Sequence, residues 1–144
     1  MLEVTKAIIY HHNEYLLQLR DCTPDIVYAG YWSFFGGAIE TGETPWQALQ
    51  RELTEELEWQ PDTGVFLYDW INPKHPCRIH FFMVPFTNER SALVLHEGQD
   101  LGWFNLDQVA HYSRMAPHVV QHLKCAHDLL SDSESSLPAD ISLR

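Results

Sequence analysis

Glu52, Glu55 and Glu56 carry the clearest chemical signal in this sequence. At roughly 100° per residue, a helix through them gathers all three carboxylates within an arc of about 100°. Trp46, Leu49, Leu53 and Leu57 recur at spacings of three and four, and they centre roughly 110° away around the same helix. One face packs and an adjacent face collects acid. Like charges three or four residues apart weaken a helix by about 0.2–0.5 kcal/mol per pair. A hard divalent cation would offset that, because Mg²⁺ and Mn²⁺ prefer carboxylate oxygens. The plain alternative is a solvated acidic face.

The elements around these residues are readable. Thr44 is a good N-cap, Pro45 suits the first helical position and Gln47 completes a capping box, so the helix is expected to run to about Glu58. It follows a Gly36-Gly37 turn and a Gly42-Glu43 turn, a loop–helix unit able to aim backbone groups at a ligand. Residues 4–9 and 14–19 read as a hairpin about His11-His12-Asn13, and residues 21–30 as a loop rich in Pro, Gly and Asp. Further strands are expected at 31–35, 64–70, 77–84, 92–95 and 102–104. A short helix capped by Asn105 and a final helix at 117–130 complete a single domain over residues 1–130, with 131–144 a frayed polar tail.

Composition narrows the function classes. The 144 residues include nine Lys+Arg and twenty Asp+Glu, a formal charge of −11, with 45% hydrophobic residues. That suits one globular domain and disfavours long nucleic acid or an anionic membrane as partner. Three cysteines without CxxC pairing and an N-terminus without a signal-like apolar stretch point to a cytoplasmic protein.

Residues 37–59 resemble the Nudix box of the Nudix (MutT-like) hydrolases, Gly-x5-Glu-x7-Arg-Glu-aliphatic-x-Glu-Glu-x-Gly-aliphatic. Gly37, Glu43, Arg51, Glu52, Leu53, Glu55 and Glu56 match, whereas Glu58 stands at the late glycine and Trp59 at the final aliphatic. The resemblance implies an α/β fold, a Nudix-type α/β/α sandwich with a mixed sheet. It implies that Glu52, Glu55 and Glu56, with the Gly37 carbonyl, hold Mg²⁺ (or Mn²⁺), and that Glu43 and Arg51 form a structural ion pair. It implies hydrolysis of a nucleoside diphosphate linked to another moiety, with Glu97 or a box glutamate (Glu55 or Glu56) taking the proton from water. A non-catalytic nucleotide sensor on the same fold is the contrasting expectation. The partner expected is a nucleotide-derived small molecule, with no membrane, and a homodimer is left open.

Other residues have chemistry of their own. Arg20 ends the second strand and could pair with a substrate phosphate, as could Arg78. His96 is a second candidate base. Tyr28, Tyr31 and Trp32 could stack on a base or simply fill the core. His118, His122 and Cys125 share one helix face, but a linear row converges poorly on a tetrahedral ion and reads as a plain polar face.

Overall fold

The computed structural model describes residues 1–136. Its centre is a long strand, β1 (Leu2–His11), which pairs parallel with β6 (Cys77–Pro85) along one edge. Its other edge is shared. Val4 to Ala7 pair antiparallel with β4 (Phe35–Ala38), and Ile9 to His11 pair with β2 (Glu14–Leu19). β2 also pairs with the two-residue β3 (Trp32–Ser33) and with β7 (Asp100–Phe104), while β5 (Val65–Ile71) closes the far side against β6. One parallel pairing among antiparallel ones makes the seven-stranded sheet mixed.

Alternation along these strands assigns each side chain to one of two cores. Ala7, Ile9, Leu16, Phe35, Phe82 and Val84 meet Leu49, Leu53 and Leu57 of α1 (Pro45–Leu57) on one face. Val4, Ile8, Tyr15, Leu17, Phe81 and Met83 meet Val119, Leu123 and Ala126 of α3 (Pro117–Ser136) on the other. Val109 of α2 (Leu106–His111) joins that second core. The expected α/β/α layering is therefore present, with α1 the one helix on its side among the described residues. Each fully buried leucine of α1 contributes roughly 2 kcal/mol through its burial.

Local signals fix the ends of α1. The Thr44 hydroxyl accepts from the Gln47 amide at 3.1 Å and the Gln47 side chain accepts from the Thr44 amide at 2.9 Å. At the other end Glu58 takes the left-handed conformation, φ 54°, that a glycine would adopt without strain. The helix exit is thus the ordinary one, made by a residue that strains to make it.

Three expectations are corrected. Gly36-Gly37 does not end the strand pattern, because these glycines form the middle of β4. Ala92 to Leu95 is not a strand: a single 3-10 turn at Arg90–Ala92 leads into an extended segment whose amides bond to the end of α1. The last helix does not stop at Leu130, since α3 continues through Ser136, and the rest of the expected tail lies outside the described residues. Among the described residues no helix is long and apolar enough to cross a membrane.

Candidate active site

β4 and α1 face each other, and their contact surface is acidic. Glu52 lies directly against Gly37: a Cβ there would sit 2.5 to 2.7 Å from the Glu52 carboxyl carbon and oxygens. One turn on, Glu56 is 3% exposed and accepts from the Gly36 amide through Oε1 at 3.3 Å. Its second oxygen, Oε2, is buried with no hydrogen-bond partner. Burial, then the neighbouring Glu52 carboxylate, push the Glu56 carboxyl up to about 9; Lys6 opposes the shift and Glu97 adds to it. Glu55 points outward, its side chain 59% exposed.

A bidentate ion pair holds this arrangement from outside. Arg51 Nε donates to Glu43 Oε2 at 2.7 Å and Nη2 to Glu43 Oε1 at 2.9 Å. Nη2 also reaches the Ala38 carbonyl at 3.1 Å, and Nη1 reaches Glu52 Oε1 at 3.1 Å. Arg51 therefore ties the turn, the end of β4 and the helix together. The Arg51 hydrogen bonds hold the Glu43 carboxyl down at about 2, against an ordinary 4.5. A depressed carboxyl stabilises the fold above its unfolded pKa and loses that contribution as pH falls through the folded one. Wild type is therefore expected to melt above Glu43→Gln at pH 7, and the gap to narrow between pH 4.5 and about 2 in thermal melts. A gap independent of pH would contradict the pairing.

Glu97 enters from the loop before β7. The His96 amide donates to the Glu56 carbonyl at 2.8 Å, Gln18 Nε2 donates to the Glu97 carbonyl at 3.0 Å, and the Gln99 amide donates to the Leu19 carbonyl at 2.8 Å. Glu97 and Glu52 both line a cavity of about 450 Å³. Arg20 lines it too, spending Nε on the Val27 carbonyl at 2.7 Å. Tyr28, Asn72, His75 and His118 also line it. There Tyr28 leans on His118 and His75 with ring centroids 5.1 and 5.6 Å apart, and Trp70 stacks behind His118.

The family model of the NUDIX domain matches residues 4–125 of this geometry. The chain belongs to the Nudix hydrolase family. It is 33% identical over 112 residues to the CTP pyrophosphohydrolase of Escherichia coli (strain K12), covering 78% of this chain and 82% of that one. The solution structure of the E. coli ORF135 protein superposes with a TM-score of 0.70 at 30% identity, covering 96% and 94% of the two chains. A bifunctional NMN adenylyltransferase/ADP ribose pyrophosphatase from Francisella tularensis, complexed with AMP and a Mn ion, gives a TM-score of 0.70 at 19% identity. That likeness covers 89% of this chain and 41% of that one, and it bears on the fold alone.

Within this Nudix hydrolase the candidate residues divide. Gly37, Glu52 and Glu97 share the cavity, and Glu56 lies beneath them. His96 is turned away onto Glu58 and does not line the cavity. Arg78 is held by Glu3 at 3.5 Å and Asp69 at 3.6 Å, away from the site. Trp32 packs on Phe104 in the core, and Arg114 lies over Tyr31, which leaves Tyr28 as the cavity aromatic of the three. The His118 and His122 face is not a polar one. His118 and His122 are 9% and 1% exposed among Trp70, Phe34 and Phe81, while Cys125 is exposed. Burial pulls both histidines down to about 4, so they are neutral near pH 7. Among the described residues no three His, Cys, Asp or Glu side chains stand close enough to form a ready cage for a metal.

Sequence reasoning missed Lys6, Asn72, His75 and His118 as cavity residues. One signal was available. Lys6 falls between Val4 and Ile8 on a strand face that is otherwise apolar.

Proposed function

We propose that this Nudix hydrolase cleaves the phosphate chain of nucleoside triphosphates in the presence of Mg²⁺ or Mn²⁺, releasing a nucleoside monophosphate and pyrophosphate. The observation that carries the reading is the lining of one cavity, where the Glu52 and Glu97 carboxylates are joined by the Tyr28, His75 and His118 ring cluster and the Asn72 amide. A nucleotide combines the same two chemistries, a phosphate chain joined to a flat base. The cavity volume falls within the range of about 300–1,000 Å³ usual for small-molecule sites. The E. coli relative acts on CTP, so CTP is the first substrate to try.

A divalent cation suits the residues present. Glu56 buries an oxygen without a partner next to a second carboxylate, an arrangement unfavourable unless a proton or a cation is shared. Glu52, Glu55 and Glu56, with the Gly37 carbonyl, would hold it, and the Francisella protein that shares the fold carries Mn. When bound, the cation would neutralise phosphate charge and lower the pKa of water. Glu97, which lines the cavity on its tethered loop, would accept a proton from the attacking water, with Glu56 the other acceptor. Water adds to phosphorus, the P–O bond to pyrophosphate breaks, and pyrophosphate leaves with the bonding electron pair. Arg20 has its Nη groups free of partners among the described residues and would hold a phosphate oxygen.

The test is turnover of a panel with Mg²⁺, with Mn²⁺ and with EDTA: the four common nucleoside triphosphates, a nucleotide sugar, ADP-ribose and a dinucleoside polyphosphate. Metal-dependent release of pyrophosphate from a triphosphate is expected. Turnover confined to the other compounds, or equal turnover in EDTA, would overturn the reading.

A further inference from the structure

The cavity holds an amine that the Nudix box does not supply. Lys6 lies on β1 with Val4 and Ile8, on the sheet face that packs toward α3. It is half-buried and, with Arg20, is one of the two Lys or Arg side chains that line the cavity among the described residues. Its hydrogen bonding among the described residues is a single long donation to the Phe34 carbonyl at 3.4 Å. It makes no ion pair with any described carboxylate within 4.0 Å. An amine carries at least two N–H groups in either protonation state, so at least one is left without a protein partner. Lys6 pairs along the sheet with Gly36, whose amide donates to Glu56, so it stands beside the acidic residues of the site.

An unpaired donor on an apolar strand face destabilises the fold unless something completes it. A valine or methionine there would continue the pattern of Val4 and Ile8 at no such cost. Asn72, which also lines the cavity, accepts from the Lys74 amide through its side-chain oxygen at 2.9 Å. Lys6 thus brings a donor with spare capacity to the cavity, and an occupant rich in oxygen acceptors would satisfy it.

We propose that Lys6 contacts the substrate, donating to an oxygen of the bound nucleotide. The inference rests on the nucleotide reading above. Two sources present such an oxygen, a base carbonyl and the phosphate next to the ribose, and the substrates themselves separate them. Cytosine, uracil and guanine carry a ring carbonyl, and adenine carries none.

The experiment compares wild type with Lys6→Met, which preserves volume, and Lys6→Arg, which preserves donors. Hydrolysis of CTP, UTP, GTP, ATP and ribose 5-triphosphate is followed with Mg²⁺. Equilibrium binding of the corresponding monophosphates and ribose 5-phosphate is measured without metal. Lys6→Met is expected to lose about tenfold or more in kcat/KM and in monophosphate affinity, with Lys6→Arg recovering part of it. A loss on the three carbonyl-bearing nucleotides but not on ATP or the base-free compounds assigns the oxygen to the base. An equal loss on all five assigns it to the phosphate. Binding by wild type without turnover, weakened in Lys6→Met, sinks the hydrolytic reading and sustains the Lys6 contact. Lys6→Met binding and hydrolysing every compound within twofold of wild type, with an unchanged melting temperature, overturns the inference.

Discussion

Glu56→Gln is expected to remove most Mg²⁺-dependent turnover, by about a hundredfold or more, while leaving the protein folded. Glutamine preserves the oxygen that accepts from the Gly36 amide and replaces the unpartnered Oε2 by a neutral group. What is lost is the charge, which is what a cation or a departing proton needs. The stability effect runs the other way. The folded pKa of Glu56 is raised to about 9 from 4.5, so ionising it costs the folded state more with each unit of pH across that interval. In EDTA, wild type should therefore lose melting temperature relative to Glu56→Gln as pH rises from 4.5 to about 9, and the two should converge below it. Added Mg²⁺ should raise the wild-type melt and leave the variant nearly unmoved. Hydrolysis by Glu56→Gln at the wild-type rate would remove Glu56 from the site chemistry.

Gly36→Ala should be the most damaging single-methyl change. Gly36 has φ +139°, and a Cβ there would lie 2.1 Å from the Thr5 carbonyl oxygen and 2.9 Å from the Lys6 Cα, both main-chain atoms of β1. Neither can step aside without opening the β1–β4 pairing. The strain and the overlap together cost about 3 kcal/mol or more, roughly a 10 °C fall in melting temperature. Activity should fall as well, because the Gly36 amide is what orients Glu56. Gly42→Ala is the control: its φ is also positive, +89°, but nothing lies within 4 Å of an added Cβ. A Gly36→Ala protein as stable as Gly42→Ala would show that β4 does not approach β1 so closely.

The parts of this molecule that depend on neighbours in sequence were legible before the fold was known. The capping box, the apolar stripe of α1 and the acidic face beside it are all set within a few turns. The Glu43–Arg51 pair was implied by the resemblance of residues 37–59 to the Nudix box, and the two side chains are found bonded. What failed was long-range. Ala92 to Leu95 has strand composition, yet the Val94 and His96 amides are taken by carbonyls of α1, so no ladder forms. Gly36-Gly37 looked like a breaker because its use is a close approach to a strand thirty residues earlier. His118 and His122 looked polar because the rings that bury them, Trp70 and Phe81, come from strands far upstream. The cavity is lined from segments spread between Leu2 and His118, and no local pattern announces such an assembly.

The amides of Val94 and His96, some forty residues downstream, bond to two carbonyls of the last turn of α1, those of Leu57 and Glu56. The consequence is kinetic. The helix cannot reach its finished form by local winding alone, since its C-terminal turn waits for a long-range loop closure. The same closure delivers Glu97, so site assembly and completion of the helix become one cooperative event. In native-state hydrogen exchange the amides of Val94, His96 and Glu58 should open together, as a single subglobal unit.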